Sequence, residues 1–190
     1  NRWLAEWCAN DPARHIGVAS IPLLWDVQQA VEAVRWCVDN GLNAVMIPTL
    51  WGEHDAYHHT KYDPFWAVCE DLEVIVHFHS GPAPHQEYFG AGFPVEDKRD
   101  EMPGAMGIYV SEVMWWLYRP LTFMIWGGVY ERFPKLKTMI VEGGTMFMLP
   151  SWLRLMDFHY TEGQISAKLG NFRAHLSLKP SEYFQRNIGI

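Results

Sequence analysis

The chain has 190 residues, 49% of them hydrophobic, and a formal net charge of −7. That length supports one domain with a sizeable core. The apolar content excludes a disordered chain, and the acidic balance argues against a nucleic-acid partner, which selects basic surfaces. The three cysteines, Cys8, Cys37 and Cys69, are odd in number and form no CxxC. Neither a disulfide framework nor a thiolate zinc site is expected, and a reducing, cytoplasmic setting is the default. No stretch is apolar enough over enough length to span a membrane, and no signal peptide is visible.

In chain order, "NRWLAEWCANDP" opens inside a helical pattern, without methionine, as if an end were cut. "HIGVASIPL" (15–23) reads as a strand. Asp26 then caps a helix whose apolar face carries Val27, Ala30, Val31, Val34, Cys37 and Val38, with Gly41 as its stop. "NAVMIP" (43–48) is the next strand. After a polar loop, Asp63 is placed as the cap and Pro64 as the first residue of another helix. "VIVHFHS" (74–80) is the third strand. Residues 81–107, rich in Gly, Pro and charge, form an insertion too long for an ordinary connection. Ser111 can cap the apolar helix that follows, and Pro120 is expected to break or kink it. "LKTMIVEGG" (136–144) is a fourth strand, Pro150 starts a helix to about Tyr160, and "NIGI" begins a fifth strand. Val18, Val45 and Val76 mark strand centres at the period of a βα unit. The series predicts an α/β fold, either doubly wound or a (β/α)8 TIM barrel.

Chemistry gathers at strand ends. Alternation puts Ile75, His77 and His79 on one face, near the C-terminal end where parallel α/β proteins keep their sites. Neutral imidazole there suits zinc or a similar ion, and the competing reading is a pair of core histidines. Glu142 ends the fourth strand, where alternation would place it on a face with Thr138 and Ile140. It is a ligand, a general base, or one half of an ion pair. Arg119 lies in the apolar helix and needs a partner, either Glu142 or a substrate carboxylate. Loop histidines His58 and His59 read as solvated. His85 sits in the insertion, and His15 sits at the wrong strand end for chemistry.

Several segments together carry a family likeness. "KYDPFWAVCEDLEVIVHFHSG", "RPLTFMIWGGVYERFPKLKTMIVEGG" and "KPSEYFQRNIGI" resemble segments of the amidohydrolase-related metal-dependent hydrolases. That group includes aminocarboxymuconate-semialdehyde decarboxylase and related benzoate-type decarboxylases. The resemblance implies a (β/α)8 barrel, of which residues 1–190 are a partial domain covering about strands 3 to 7, with both ends missing and an insertion at 81–107. It implies one divalent metal, zinc first, with manganese or iron as alternatives. In the family a first-strand histidine pair, a fifth-strand histidine and an eighth-strand aspartate hold it. Only the fifth-strand ligand falls here, His79 first and His77 second.

One departure stands out. Many members carry a histidine after the sixth strand, where this chain has Glu142, a residue with a reference pKa of about 4.3. The first expectation is therefore a metal-dependent hydrolase acting on a small organic substrate through a metal-activated water. Glu142 would be its base, and Arg119 would neutralise a substrate carboxylate. The alternative is a non-oxidative decarboxylase of an aromatic or unsaturated carboxylic acid, and a second is a degenerate, non-catalytic scaffold barrel. A homodimer through the aromatic-rich 111–130 segment is left open.

Overall fold

The computed structural model describes residues 1–80, 104–142, 148–162 and 170–190. Five parallel strands pair in chain order: β1 (Val18–Ser20), β2 (Ala44–Met46), β3 (Ile75–His79), β4 (Thr138–Val141) and β5 (Ile188–Gly189). Helices α1 (Arg2–Cys8), α2 (Val27–Asp39), α3 (Asp63–Asp71), α4 (Ala105–Trp126), α5 (Val129–Arg132), α6 (Leu149–Thr161) and α7 (Pro180–Asn187) connect and cover them. The α/β architecture with a parallel sheet is as expected. The strands are shorter than the apolar runs that announced them, because the flanking residues turn into loops once pairing ends.

Each element follows from local chemistry. Asp26 caps α2 by accepting from the Gln29 amide at 3.0 Å, and Ala30, Val31, Val34 and Cys37 bury one face. Gly41, at φ 77°, takes the left-handed turn that ends the helix. In α3 the cap is Tyr62 and Asp63 is the first helical residue. The expected Asp63 cap fails because its carboxylate turns away to Arg132, at 2.9–3.3 Å. The expected break at Pro120 is also absent, since α4 runs unbroken across it. Nor does Ser111 cap α4: the helix starts at Ala105, and the Ser111 hydroxyl donates to the Gly107 carbonyl from inside it. The insertion 81–107 lies largely outside the described residues, as do His85, Gly143 and Gly144.

The core lies between one sheet face and the helices. Ala19, Val45, Val76, Phe78 and Ile140 join Val34, Cys37, Phe65, Trp66, Cys69 and Leu117 in a single buried cluster. Phe78 is wholly buried, a contribution of about 1.5–3 kcal/mol. All three cysteines are buried, free thiols, which fits the reading of Cys37 and Cys69 as core.

Candidate active site

The register decides which residues line the other face. Ser20 pairs with Met46, Met46 with His77, and His77 with Met139, which pairs with Gly189. This row and the residues two before and after it face away from the helices. His77 and His79 therefore share that face, as expected, while their neighbours Val76 and Phe78 are buried in the core. Gly189 leaves room in the row for the Met139 thioether, which a Cβ there would approach to 3.0 Å.

Glu142 reaches the same face by a backbone turn. Thr138 and Ile140 point into the core, and strict alternation would send Glu142 with them. Its φ of 54° breaks the alternation. The carboxylate instead meets His79, with Oε2 3.2 Å from Nε2. The shared face expected for Thr138, Ile140 and Glu142 thus holds for the first two only.

The His79 proton is fixed from the other side of the ring. Nδ1 lies 2.7 Å from the Ser80 carbonyl oxygen, which can only accept. Nδ1 therefore carries a proton, and Nε2 faces Glu142 either with a second proton, as an imidazolium paired to the carboxylate, or with a lone pair. A lone pair facing a carboxylate at 3.2 Å is repulsive unless a cation or a proton lies between them. Donors bonded to one ion at about 2.0–2.2 Å stand about 2.8–3.6 Å apart in tetrahedral or octahedral geometry. The His79–Glu142 pair fits a divalent metal on spacing and donor chemistry. It is a partial set, since no group of three metal-binding side chains occurs among the described residues. His77 sits one row deeper, with Nδ1 donating to the Ile75 carbonyl at 3.2 Å. Burial holds its pKa below the usual imidazole range, and the carbonyls of Ile75 and Val45 only partly offset that.

Arg119 is not where it was expected. It is exposed, and its guanidinium lies over the Trp51 ring at 4.5 Å, with Phe123 at 5.5 Å and Trp116 at 5.8 Å. It makes no ion pair with Glu142. Trp51 follows β2 on the side of the strand's C-terminal end, so the cation is held on that side of the sheet. The sequence reading missed Trp51 because nothing local distinguishes it from the other nine tryptophans. His58 and His59 are exposed, as expected. The ring of His59 accepts from the Lys61 amide at 3.1 Å, and His58 packs on Phe123.

The motif residues of "ERFP" and "SEYFQRN" turn out to be joints. Arg132 binds Asp63 and also donates to the Gly127 carbonyl at 3.0 Å. Glu131 accepts from Ser177 at 3.1 Å and from the Tyr183 hydroxyl. Asn187 donates to the carbonyls of Pro134 and Leu136 at 3.0 and 2.8 Å. The Asn187 bonds tie the entry of β5 to the entry of β4, and the others join the helices and loops around them.

A profile of the family described as Amidohydrolase matches residues 1–183. The chain belongs to the amidohydrolase family. A curated relative, gamma-resorcylate decarboxylase from Rhizobium sp. (strain MTP-10005), is 33% identical over 101 residues, covering 50% of this chain and 31% of that protein. Among solved structures, an amidohydrolase from Mycobacterium avium subsp. paratuberculosis K-10 superposes with a TM-score of 0.73 at 22% identity, over 99% of this chain and 45% of its own. The 5-carboxyvanillate decarboxylase of Novosphingobium aromaticivorans, solved with manganese and 4-hydroxy-3-methoxy-5-nitrobenzoic acid, gives 0.67 at 18% identity, over 98% of this chain and 49% of its own. The amidohydrolase-family chain thus spans about half the length of the solved structures it matches, and those two likenesses show the fold. Among the described residues no helix is long and apolar enough to cross a membrane.

Proposed function

We propose that residues 1–190 are part of a (β/α)8 barrel, about strands 3 to 7, in a metal-dependent, non-oxidative decarboxylase of an aromatic carboxylic acid. His79 is the metal ligand contributed by this stretch, with Glu142 and Arg119 working beside it. The observation that supports a metal is the Nε2 of His79 and the Oε2 of Glu142 standing 3.2 Å apart, the spacing of two donors on one ion, while Nδ1 is committed to Ser80. The choice of reaction rests on the decarboxylase relative, which favours carbon dioxide release over the hydrolysis expected first.

The chemistry needs one proton in and one carbon dioxide out. A divalent ion, zinc or manganese, supplies positive charge that holds and neutralises an acidic substrate. Glu142 keeps Oε2 for the ion and passes a proton from its other carboxylate oxygen, Oε1, to the ring carbon that bears the carboxylate. The bond from that carbon to the carboxylate breaks, carbon dioxide leaves, and water returns a proton to Glu142, the hydroxide left behind being taken up by the released carbon dioxide as bicarbonate. Arg119, exposed and held over the Trp51 ring, offers its guanidinium to an anionic substituent.

The test uses the full-length protein supplied with manganese or zinc, and compares wild type with His79→Ala. About one metal per chain, lost in the variant, is expected, with carbon dioxide released from 2,6-dihydroxybenzoate or 5-carboxyvanillate by the wild type alone. Turnover of esters or amides without carbon dioxide would restore the hydrolase. Absence of metal from the wild type would leave the scaffold reading.

A further inference from the structure

A second feature of the open sheet face is a groove of about 240 Å³ at the C-terminal ends of β1 and β2, walled by Pro22, Trp25, Met46 and Pro48. We infer that this groove is the subsite for the aromatic ring of the substrate, with Trp25 as the residue that selects for it. The inference rests on the decarboxylase reading above and deepens it.

Position comes first. Two residues beyond the paired row Ser20–Met46–His77 stand Pro22, Pro48 and His79. The groove's near wall is therefore one strand from His79, a step of about 4.8 Å. A carboxylate held near His79 and Glu142 leaves its ring within reach of the groove.

Size and polarity agree. A cavity of about 150 Å³ accepts benzene, so 240 Å³ admits a substituted ring. The lining offers almost nothing polar. Pro22 and Pro48 have no amide hydrogen. The amides of Ile21 and Ile47 are already bonded to the carbonyls of Met46 and His77, at 2.9 and 3.3 Å. The Ser20 amide is taken by Asn1. A charged group would lose its water there and gain little in return, so the groove excludes the carboxylate and suits the ring.

Trp25 is the exposed wall. It is 72% exposed, between buried Leu24 and the cap Asp26, and its ring lies near His54, tilted by 57° with centroids 6.1 Å apart. An indole held beside an apolar groove at a parallel sheet's C-terminal end is placed to stack on a ring.

Calorimetry on the metal-loaded full-length protein tests this without requiring turnover. The probes are 2,6-dihydroxybenzoate, benzoate and hexanoate, and the proteins are wild type, Trp25→Ala and Trp25→Phe. The aromatic acids should bind at least about tenfold tighter than hexanoate. Trp25→Ala should erase most of that margin, and Trp25→Phe should keep it, both with full metal content. Equal aromatic affinity in wild type and Trp25→Ala overturns the subsite and leaves the decarboxylase standing. No aromatic binding by the wild type overturns it as well. Tight, Trp25-dependent binding without carbon dioxide release would keep the subsite and sink the decarboxylase.

Discussion

Glu131 shows how a motif residue acts at a distance from the chemistry. Burial pushes its carboxyl up, but hydrogen bonds donated by Ser177 and Tyr183 outweigh that and hold it below the usual carboxylate range. A carboxyl with a depressed folded pKa stabilises the protein above its unfolded value, here 4.5. That contribution is lost as pH falls through the folded value. Urea midpoints at pH 7 and pH 4 should therefore fall further in wild type than in Glu131→Gln, and equal slopes would remove the joint from the argument. Two other glutamates, Glu73 and Glu142, share a φ of 54°, which favours glycine. Replacing either with glycine should stabilise the fold by about 0.5–1 kcal/mol. Glu73→Gly should leave activity intact, whereas Glu142→Gly should abolish it. Two features of the site differ in how legible they are in the sequence. His77 and His79 are legible because a strand has a period of two, so two histidines one residue apart must share a face. The meeting of Glu142 with His79 is not, because it depends on one left-handed backbone angle that no residue preference announces.

At the scale of elements, α4 and its exit carry the clearest conflict between local rule and fold. Pro120 removes an amide hydrogen from the helix, yet Leu117, Tyr118, Leu121, Met124 and Ile125 are buried around it. Packing on that scale outweighs one lost hydrogen bond, which is why the expected break fails. The helix ends instead at Gly127 and Gly128, where the chain must pass close to the loop after β2. A Cβ at Gly127 would stand 2.2 Å from the Cβ of His58 and 2.7 Å from the Phe123 carbonyl oxygen. Gly127→Ala should cost about 1–3 kcal/mol by overpacking, read as a lower urea midpoint. The same variant should also loosen Arg119, because Phe123 is one of the rings beneath it. The predicted βα order was legible here because strands and helices announce themselves by different hydrophobic periods. The seat of Arg119 was not, since it is made by Trp51, far away in the sequence.

For the whole molecule, the sheet order follows the chain order, with β1 and β5 at its edges among the described residues. An open face carrying Met46, Ile75, Met139 and Val141, between two edges that no further strand pairs among the described residues, invites association. Residues 1–190 expressed alone should self-associate in sedimentation and bind hydrophobic dyes. The full-length protein should do neither, and a monodisperse 190-residue monomer would contradict the partial-barrel reading. The same ordering of strands has a consequence during synthesis. Each strand pairs with the one made just before it, so the sheet can grow from the N-terminus as it leaves the ribosome. His79 and Glu142 are separated by 63 residues, which at about 5–20 residues per second is about 3–13 seconds of translation. Through that interval β3 has a partner on one side only and His79 has no carboxylate beside it. Under the function proposed above, capture of a metal by this pair waits for β4 to arrive.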